Sequence, residues 1–440
     1  MVIIKGKIVL VVDNLSLIGI RIKNIRKEKQ QTLKEVSQGI ISIPYLANIE
    51  NGVKTASIET LIHIANRLEI PEEVLLVAEE KTDFSILQEL NSIFEALVFS
   101  NTMEAEQKLN NITENVDLRY ELPAIELGFY CLQAGLYYKT WKFSKAEEIE
   151  RKHLNNVAKH SAETFPTYLQ SFYYYCQGVK NAHATCNYSL SRKYWKKSIE
   201  LTTKPDFLVV FNSYICTYYI CESKYEPALK YVAKAADLIQ TFESGKQERI
   251  ISVLYFYGYI YFQIGFMKEA KNKFEQAMIY FSEYPKAAPI YYFLIQFKLA
   301  EIQQLEGNEE VFNEKLMTLY NEIVAHKALN IEFNNNDFLV ITELMVIFAE
   351  QGLISEVNEL INIMNDIEEH VMELDFFIEY AETLQFYHQN QQTSYEEKML
   401  QLLKKINNSN DPALINRVKK HASKHFANST KYKMAYDILS

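Results

Sequence analysis

Residues 42 to 57 of the sequence carry side chains that suit hydrogen bonding to double-stranded DNA. Asn48 can bond the edge of an adenine through two hydrogen bonds, Tyr45 can contact a phosphate or a thymine methyl group, and Ser42 can bind a phosphate. The candidate DNA contacts are Ser42, Ile43, Pro44, Tyr45, Asn48, Lys54, Thr55 and Ser57, together with Arg26. The alternative is a solvated helix face that contacts no base.

The sequence lacks the common motifs of catalysis and cofactor binding. It has no glycine-rich phosphate-binding motif of the GxGxxG or GxxxxGK[ST] type and no serine nucleophile elbow. His421 and His425 are four residues apart, as two metal ligands on one helix can be, but no HExxH motif or third ligand accompanies them. We therefore expect surface histidines there, and no metal, cofactor or enzyme activity in the chain.

The elements around the candidate DNA contacts are predicted to be five short helices between residues 18 and 76. Ile18, Ile22 and Ile25 recur at helical spacing, and Thr32 with Glu35 forms a capping box. The later helices are predicted at 33–38, 44–51 and 58–68, with stops at Gly39 and Gly52, a cap at Ser57 and a fifth helix opening at Pro71. Two short helices joined by a tight turn in such a bundle form a helix-turn-helix.

Charge supports DNA binding by this segment alone. Between Ile18 and Ala56 there are seven basic and three acidic residues, a net charge of +4, whereas the whole chain carries −10. Glu50 lies inside the basic segment, and we expect it to pair with a base such as Arg26 rather than contact DNA. The motif Ile49-Glu50-Asn51-Gly52 resembles the end of the recognition helix in Xre/Cro-type repressors, as do residues 57–61 and 64–68. The resemblance implies that Pro44–Asn51 is the recognition helix.

The remainder of the chain is predicted to be an array of helix pairs. Small and large residues alternate from Leu254 to Ala277 in a pattern that resembles the tetratricopeptide repeat. Residues equivalent to Ala270 recur at intervals of 37 to 45 residues, at Ala105, Ala146, Ser191, Ala228, Phe312, Val357, Tyr395 and Ala435. Eight to nine pairs would stack into a superhelix with a concave surface.

The first helix of each pair is predicted to line that concave surface. Its polar and aromatic side chains suit an extended peptide, because amides and hydroxyls can satisfy a peptide backbone. The candidate peptide contacts are Tyr138, Tyr175, Asn181, Asn212, Ser213, Thr217, Tyr255, Tyr259, Phe262, Glu301 and Gln304. The alternative is a packed or wet groove without a ligand, and most aromatic residues of the array are expected to be core.

Composition limits the fold class and the compartment. The chain has 440 residues with only 12 Gly and 9 Pro, which favours an all-α fold over turn-rich sheets. Five Cys at unrelated spacings indicate a reduced, cytoplasmic protein, and no apolar run is long enough to span a membrane. The predicted domains are an extension (1–17, read as a strand, an arm or an early translation start), a helix-turn-helix (18–70), a linker (71–83) and the repeats (84–440).

A repressor-type helix-turn-helix followed by such an array resembles the Rap/Rgg/NprR/PlcR/PrgX superfamily of peptide-pheromone regulators, most closely the NprR branch. The resemblance implies a cytoplasmic quorum-sensing transcription factor that forms a homodimer or higher oligomer and binds an operator with two half-sites. It also implies that a linear signalling peptide of roughly five to ten residues binds the groove and alters DNA binding. Two alternatives remain: a Rap-like module that binds a phosphorelay response regulator, or a phage- or plasmid-type repressor whose repeats only dimerise.

Overall fold

The computed structural model describes residues 2–4, 7–9, 12–76, 84–155, 157, 162–239, 247–283, 291–331, 333, 335–365, 372–409 and 412–439. The described residues are overwhelmingly helical, which confirms the predicted fold class. They fall into two compact units, 1–243 and 244–440. Within the described part, no helix is long and apolar enough to cross a bilayer.

The chain begins with two short strands, β1 (Val2–Ile4) and β2 (Lys7–Val9), paired antiparallel with Val2 opposite Val9. This pairing agrees with the strand interpretation of the segment. Helix α1 (Val12–Glu28) follows and begins six residues before the predicted domain start.

The bundle that follows closely matches the predicted helix-turn-helix. Helix α2 is Leu33–Ser37, α3 is Ile43–Glu50, α4 is Ile58–Arg67, and a 3₁₀ turn spans Glu72–Val74. The boundaries agree within one residue because local capping sets them. Thr32 and Glu35 form the reciprocal capping box, and the Ser42 and Ser57 side chains accept the Tyr45 and Thr60 N–H groups. Gly39 and Gly52 adopt positive φ angles of 75° and 70° at the turns.

The core of the bundle extends beyond the predicted boundary at residue 70. Val74 and Leu75 are buried with the isoleucines of α1 and with residues of α3 and α4. The first six residues of the predicted linker therefore belong to the bundle, while 77–83 lie outside the described residues.

The rest of the first unit contains four helix pairs: α5 (Phe84–Val98) with α6 (Thr102–Asn115), α7 (Pro123–Lys139) with α8 (Phe143–Ile149), α9 (Thr167–His183) with α10 (Tyr188–Glu200), and α11 (Pro205–Cys221) with α12 (Tyr225–Ile239). A π-helical turn, Glu150–Leu154, extends α8. Glycines on α7 allow α9 to approach closely, since a Cβ on Gly128 would lie 3.1 Å from the Phe172 ring.

The second unit contains five pairs: α13 (Gln247–Gln263) with α14 (Met267–Glu283), α15 (Tyr292–Leu305) with α16 (Glu309–Ala328), α17 (Asn335–Gln351) with α18 (Ile354–Asn365), α19 (Met372–His388) with α20 (Gln392–Lys405), and α21 (Pro412–Asn428) with α22 (Tyr432–Leu439). His421 and His425, expected at the surface, instead pack against the Tyr387 and Tyr395 rings, so the surface prediction is wrong.

The repeat register predicted from the sequence is confirmed in both units. Each of the nine equivalent positions, from Ala105 to Ala435, is the fourth residue of the second helix of its pair, and none is more than 6% exposed. In the pair α9 and α10 this residue faces the first helix, since the Ser191 hydroxyl donates to the Gly178 carbonyl at 2.8 Å. Gly258 on α13 serves the same contact from the other side, because a Cβ there would lie 2.6 Å from the Phe274 ring of α14.

Candidate nucleic-acid interface and peptide site

Helix α3 presents one face to the core and the other to solvent. Leu46 and Ile49 are buried, whereas Ser42, Ile43 and Pro44 at the amino-terminal end are exposed. Asn48 is half-buried. An exposed isoleucine next to hydrogen-bonding side chains is the combination that can contact a thymine methyl group and an adenine edge in the major groove.

The loop after α3 is held against the helix by hydrogen bonds. The Asn48 carbonyl accepts the N–H groups of Val53 and Lys54, and the Tyr45 hydroxyl donates to the Thr55 carbonyl at 3.1 Å. Lys54, Thr55 and the Ser57 cap are all exposed. The loop therefore carries a cation beside the exposed face of α3, and the Tyr45 hydroxyl braces the loop.

Arg26 lies inside the bundle rather than at the reading face. Its guanidinium donates to both carboxylate oxygens of Glu50, at 2.6 and 2.7 Å, and to the Gln31 carbonyl at 2.9 Å. The hydrogen bond to Glu50 raises the pKa of Arg26. The expected pairing of Glu50 is confirmed, and the prediction of Arg26 as a DNA contact is wrong because its donors are taken up by this buried pair.

Sequence reasoning missed the role of Arg21, which fixes the bundle to the first repeats. Its Nε donates to Glu126 on α7 at 2.7 Å and Nη2 to the Glu121 carbonyl at 2.7 Å, while Nη1 donates to the Val74 carbonyl within the bundle at 2.9 Å. The guanidinium is almost fully buried, with 2% of the side chain exposed. One side chain therefore joins three segments.

Apolar contacts reinforce this junction. Leu17 and Ile20 belong to the core of the repeats, whereas Ile18 and Ile22 belong to the core of the bundle. The Asn24 side chain also donates to the His153 carbonyl, at 3.1 Å. Helix α1 is thus shared by two cores. The sequence contains one sign of this, because α1 has apolar residues on two faces, whereas an amphipathic helix that packs on one side has a single apolar face.

In the first unit, two of the candidate peptide contacts are core residues, so their prediction is wrong. Tyr138 and Tyr175 are fully buried. The carboxyl end of α5 covers Tyr175, whose hydroxyl donates to the Leu97 carbonyl at 2.9 Å and whose ring meets the Phe94 ring edge-on. Burial raises the pKa of Tyr175 well above its usual value. The chain itself fills the space that the sequence assigned to a ligand.

The polar candidates of the first unit bond to their own helices. Asn181 donates to the Gln177 carbonyl and Asn212 to the Leu208 carbonyl, each one turn earlier, and both residues are buried. The hydroxyls of Ser213 and Thr217 do the same with the Val209 and Ser213 carbonyls. Three of these four residues are buried, and Thr217 is half-buried. Each of these side chains therefore already has a hydrogen-bond acceptor in its own helix.

In the second unit, several candidates come together around a lysine that the sequence did not single out. Tyr255 is buried and stacks on Tyr291, with ring centroids 4.6 Å apart. Tyr259, Phe262 and Glu301 are half-buried and surround the Lys298 ammonium on α15, and Gln304 one turn further is exposed. This group combines charge, aromatic faces and access to solvent.

Comparisons with known proteins identify the first domain and the fold. Residues 19–80 match the model of a helix-turn-helix domain family. No curated protein matches the chain. Among solved structures, the apo form of the quorum sensor NprR from B. thuringiensis aligns with a TM-score of 0.53 and 15% identity, over 81% of this chain and 99% of that one. A Rap protein complexed with competence and sporulation factor aligns with a TM-score of 0.56 and 12% identity, over 81% of this chain and 96% of that one. The chain therefore contains a helix-turn-helix domain and has the fold of these two proteins.

Proposed function

We propose that the protein is a cytoplasmic, non-catalytic transcription regulator that binds operator DNA as a homodimer and responds to a short linear peptide bound by its repeats. The observation that carries this proposal is the placement of the helix-turn-helix. Its reading face, the exposed face of α3 with Ser42, Ile43 and Pro44, is open to solvent, while α1 packs into the core of the repeats as well as into the core of the bundle. Likeness to a quorum sensor and to a Rap protein in complex with a signalling factor supports it.

The DNA-binding step uses the amino-terminal half of α3. Asn48 reads an adenine edge, Ile43 contacts a thymine methyl group, and Lys54 neutralises a phosphate. Lys34, exposed on α2 next to α3, is a further cation for the backbone. A homodimer has two helix-turn-helix bundles, each of which we call a head, and the two heads bind two half-sites. The affinity for the operator therefore depends on the separation at which the protein holds the heads.

The coupling step follows from α1. If a flexible linker joined the head to the repeats, a rearrangement of the repeats would not change the position of the head. Here Arg21, Leu17 and Ile20 hold the head to α7 and its neighbours, so a rearrangement of these repeats must move the recognition helix. A peptide that prefers one arrangement shifts the population by its differential affinity for the two.

The experiment is fluorescence polarisation with labelled DNA from the region flanking the gene. We expect Asn48→Ala to weaken specific binding by about 1–3 kcal/mol per half-site with little effect on non-specific DNA. Asn66→Ala, an exposed asparagine on α4 outside the reading face, is the matched control and should bind as wild type. Equal operator affinity of Asn48→Ala and wild type would refute the assignment of α3.

Peptide response is tested in the same assay with Arg21→Gln. We expect this variant to bind operator but to lose the change that an active peptide produces in the wild type, because the head no longer follows α7. Circular dichroism melts establish that both domains are folded. A variant with an intact peptide response would show that Arg21 serves stability alone.

A further inference from the structure

The Lys298 ammonium lies in an aromatic enclosure on the second unit. Its Nζ is 5.6 Å from the Tyr259 ring centroid, 5.1 Å from that of Phe262 and 5.5 Å from that of Phe297. Only 14% of the side chain is exposed. Glu301, one turn further along α15, provides the carboxylate that faces the ammonium at 2.5 Å. Three rings restrict where the nitrogen can be, so the cation is held in place before any ligand arrives.

Glu301 is a weak and replaceable partner. It lies three residues from Lys298 on the same helix, a spacing at which an ion pair adds little to the stability of the helix. Its side chain is 28% exposed, so it can rotate into solvent, and the largely buried Lys298 ammonium is then open to another carboxylate. A second carboxylate that arrives from solvent can therefore take its place beside Lys298 at little cost.

The surroundings suit an apolar residue next to that carboxylate. Tyr259 and Phe262 are half-buried on α13, and Gln304 is exposed one turn beyond Glu301. In the first unit, by contrast, Tyr138 and Tyr175 are fully buried and Tyr175 is covered by α5. Apart from Thr217, the predicted groove residues that remain partly open to solvent therefore lie in the second unit.

We infer that Lys298 is the receptor for a carboxylate of the bound peptide, with Phe262 and Tyr259 contacting an apolar side chain beside it. This inference rests on the proposed function, and it names the chemistry of the ligand: a linear peptide with an acidic group, either its carboxyl terminus or an Asp or Glu side chain, adjacent to an apolar residue.

The test measures peptide binding to the full-length protein by isothermal titration calorimetry. The probes are the carboxyl-terminal five- to ten-residue fragments, roughly the length of a groove-bound peptide, of the short open reading frames flanking the gene. Each is made as a free acid and as an amide, and with each Asp or Glu replaced by Asn or Gln. We expect one of these neutralisations to weaken wild-type binding about tenfold or more.

The variants assign that loss to Lys298. Lys298→Met should bind the acidic and the neutralised peptide equally, both about tenfold more weakly than wild type binds the acid, whereas Lys298→Arg should keep part of the preference. Glu301→Gln removes the competing carboxylate and should strengthen binding several-fold. Lys273→Met is the matched control. The Lys273 ammonium also lies over a tyrosine ring in this unit, 5.8 Å from the Tyr257 ring centroid, but Lys273 is on α14, the second helix of its pair.

The outcomes separate the two proposals. A peptide that binds wild type and Lys298→Met with the same affinity, or that is insensitive to every neutralisation, overturns the Lys298 site and leaves the peptide-responsive regulator standing. Failure of every probe to bind wild type counts against both. Loss of acid preference in Lys298→Met but not in Lys273→Met supports the site.

Discussion

Replacing Gly19 by alanine should unfold or displace the DNA-binding bundle. A Cβ at this position would lie 1.8 Å from the Ile49 carbonyl oxygen, 2.8 Å from its carbon and 3.2 Å from the Glu50 Cα. All three atoms belong to the backbone of α3. A carbon–oxygen contact needs about 3.3 Å, so α1 and α3 must separate by about 1.5 Å.

The magnitude follows from what surrounds α1. Overpacking usually costs about 1–3 kcal/mol when side chains can give way, but here only backbone atoms face the new methyl group. Helix α1 cannot retreat, because Leu17 and Ile20 pack into the repeats on its other side. We therefore expect a loss of about 3 kcal/mol or more, comparable with the whole stability of a bundle of this size, about 3–9 kcal/mol.

The assay compares native-state hydrogen exchange in the bundle with operator binding. Gly19→Ala should lose protection in α3 and specific DNA binding, while the repeats keep theirs. Gly135→Ala on α7 is the matched control, since its Cβ would meet the Tyr175 ring at 3.3 Å and a ring can shift slightly. Wild-type protection and operator affinity in Gly19→Ala would refute the close approach of α1 to α3.

Three further predictions concern stability. Glu50→Ala should lower the free energy of unfolding, measured by chemical denaturation, by about 3–5 kcal/mol, because the buried Arg26 guanidinium loses its carboxylate partner. The double variant with Arg26→Ala should lose less than Glu50→Ala alone, and equal losses in the two variants would contradict the pairing. Burial, assisted by the nearby charge of Lys139, lowers the pKa of His183 to about 4. The neutral histidine therefore contributes fully to the free energy of unfolding above about pH 6.5, and this contribution, up to about 3 kcal/mol, should be lost as the pH drops towards 4. Thermal melts of His183→Gln should depend less on pH over this range. Gly178→Ala should lower the melting temperature, since its Cβ would lie 2.7 Å from the Trp195 ring, and pairing it with Trp195→Phe should restore much of the loss.

Local signals were enough to predict the helices of the bundle and the repeat register. A capping box at Thr32 and serine caps at Ser42 and Ser57 act within three residues, so they can be recognised without tertiary information. The anchor register depends on a period and on residue size. It held even where the anchor is large, at Phe312 and Tyr395, because the spacing was kept.

What failed depends on contacts between residues distant in sequence. Tyr175 satisfies the helical period of a groove residue equally well whether or not α5 covers it, and only the fold brings Leu97, 78 residues earlier, onto its hydroxyl. Lys298 was missed for the same reason: its significance comes from two rings on α13. Arg21 was counted as one basic residue among seven, since its partner Glu126 lies 105 residues away.

The sharing of α1 between two cores has a consequence for how a ligand can act. Arg21, Leu17 and Ile20 contact the repeats, and these contacts do not use the exposed face of α3. Attachment of the head to the repeats and exposure of its reading face are therefore compatible, so a switch need not release the head to make it competent for DNA. In the proposed homodimer, the remaining variable is the direction in which each DNA-binding domain points relative to its partner. In the proposed mechanism a small rotation of α7 changes that direction, because Arg21 joins α1 to α7 and Gly19 lies directly against the backbone of α3.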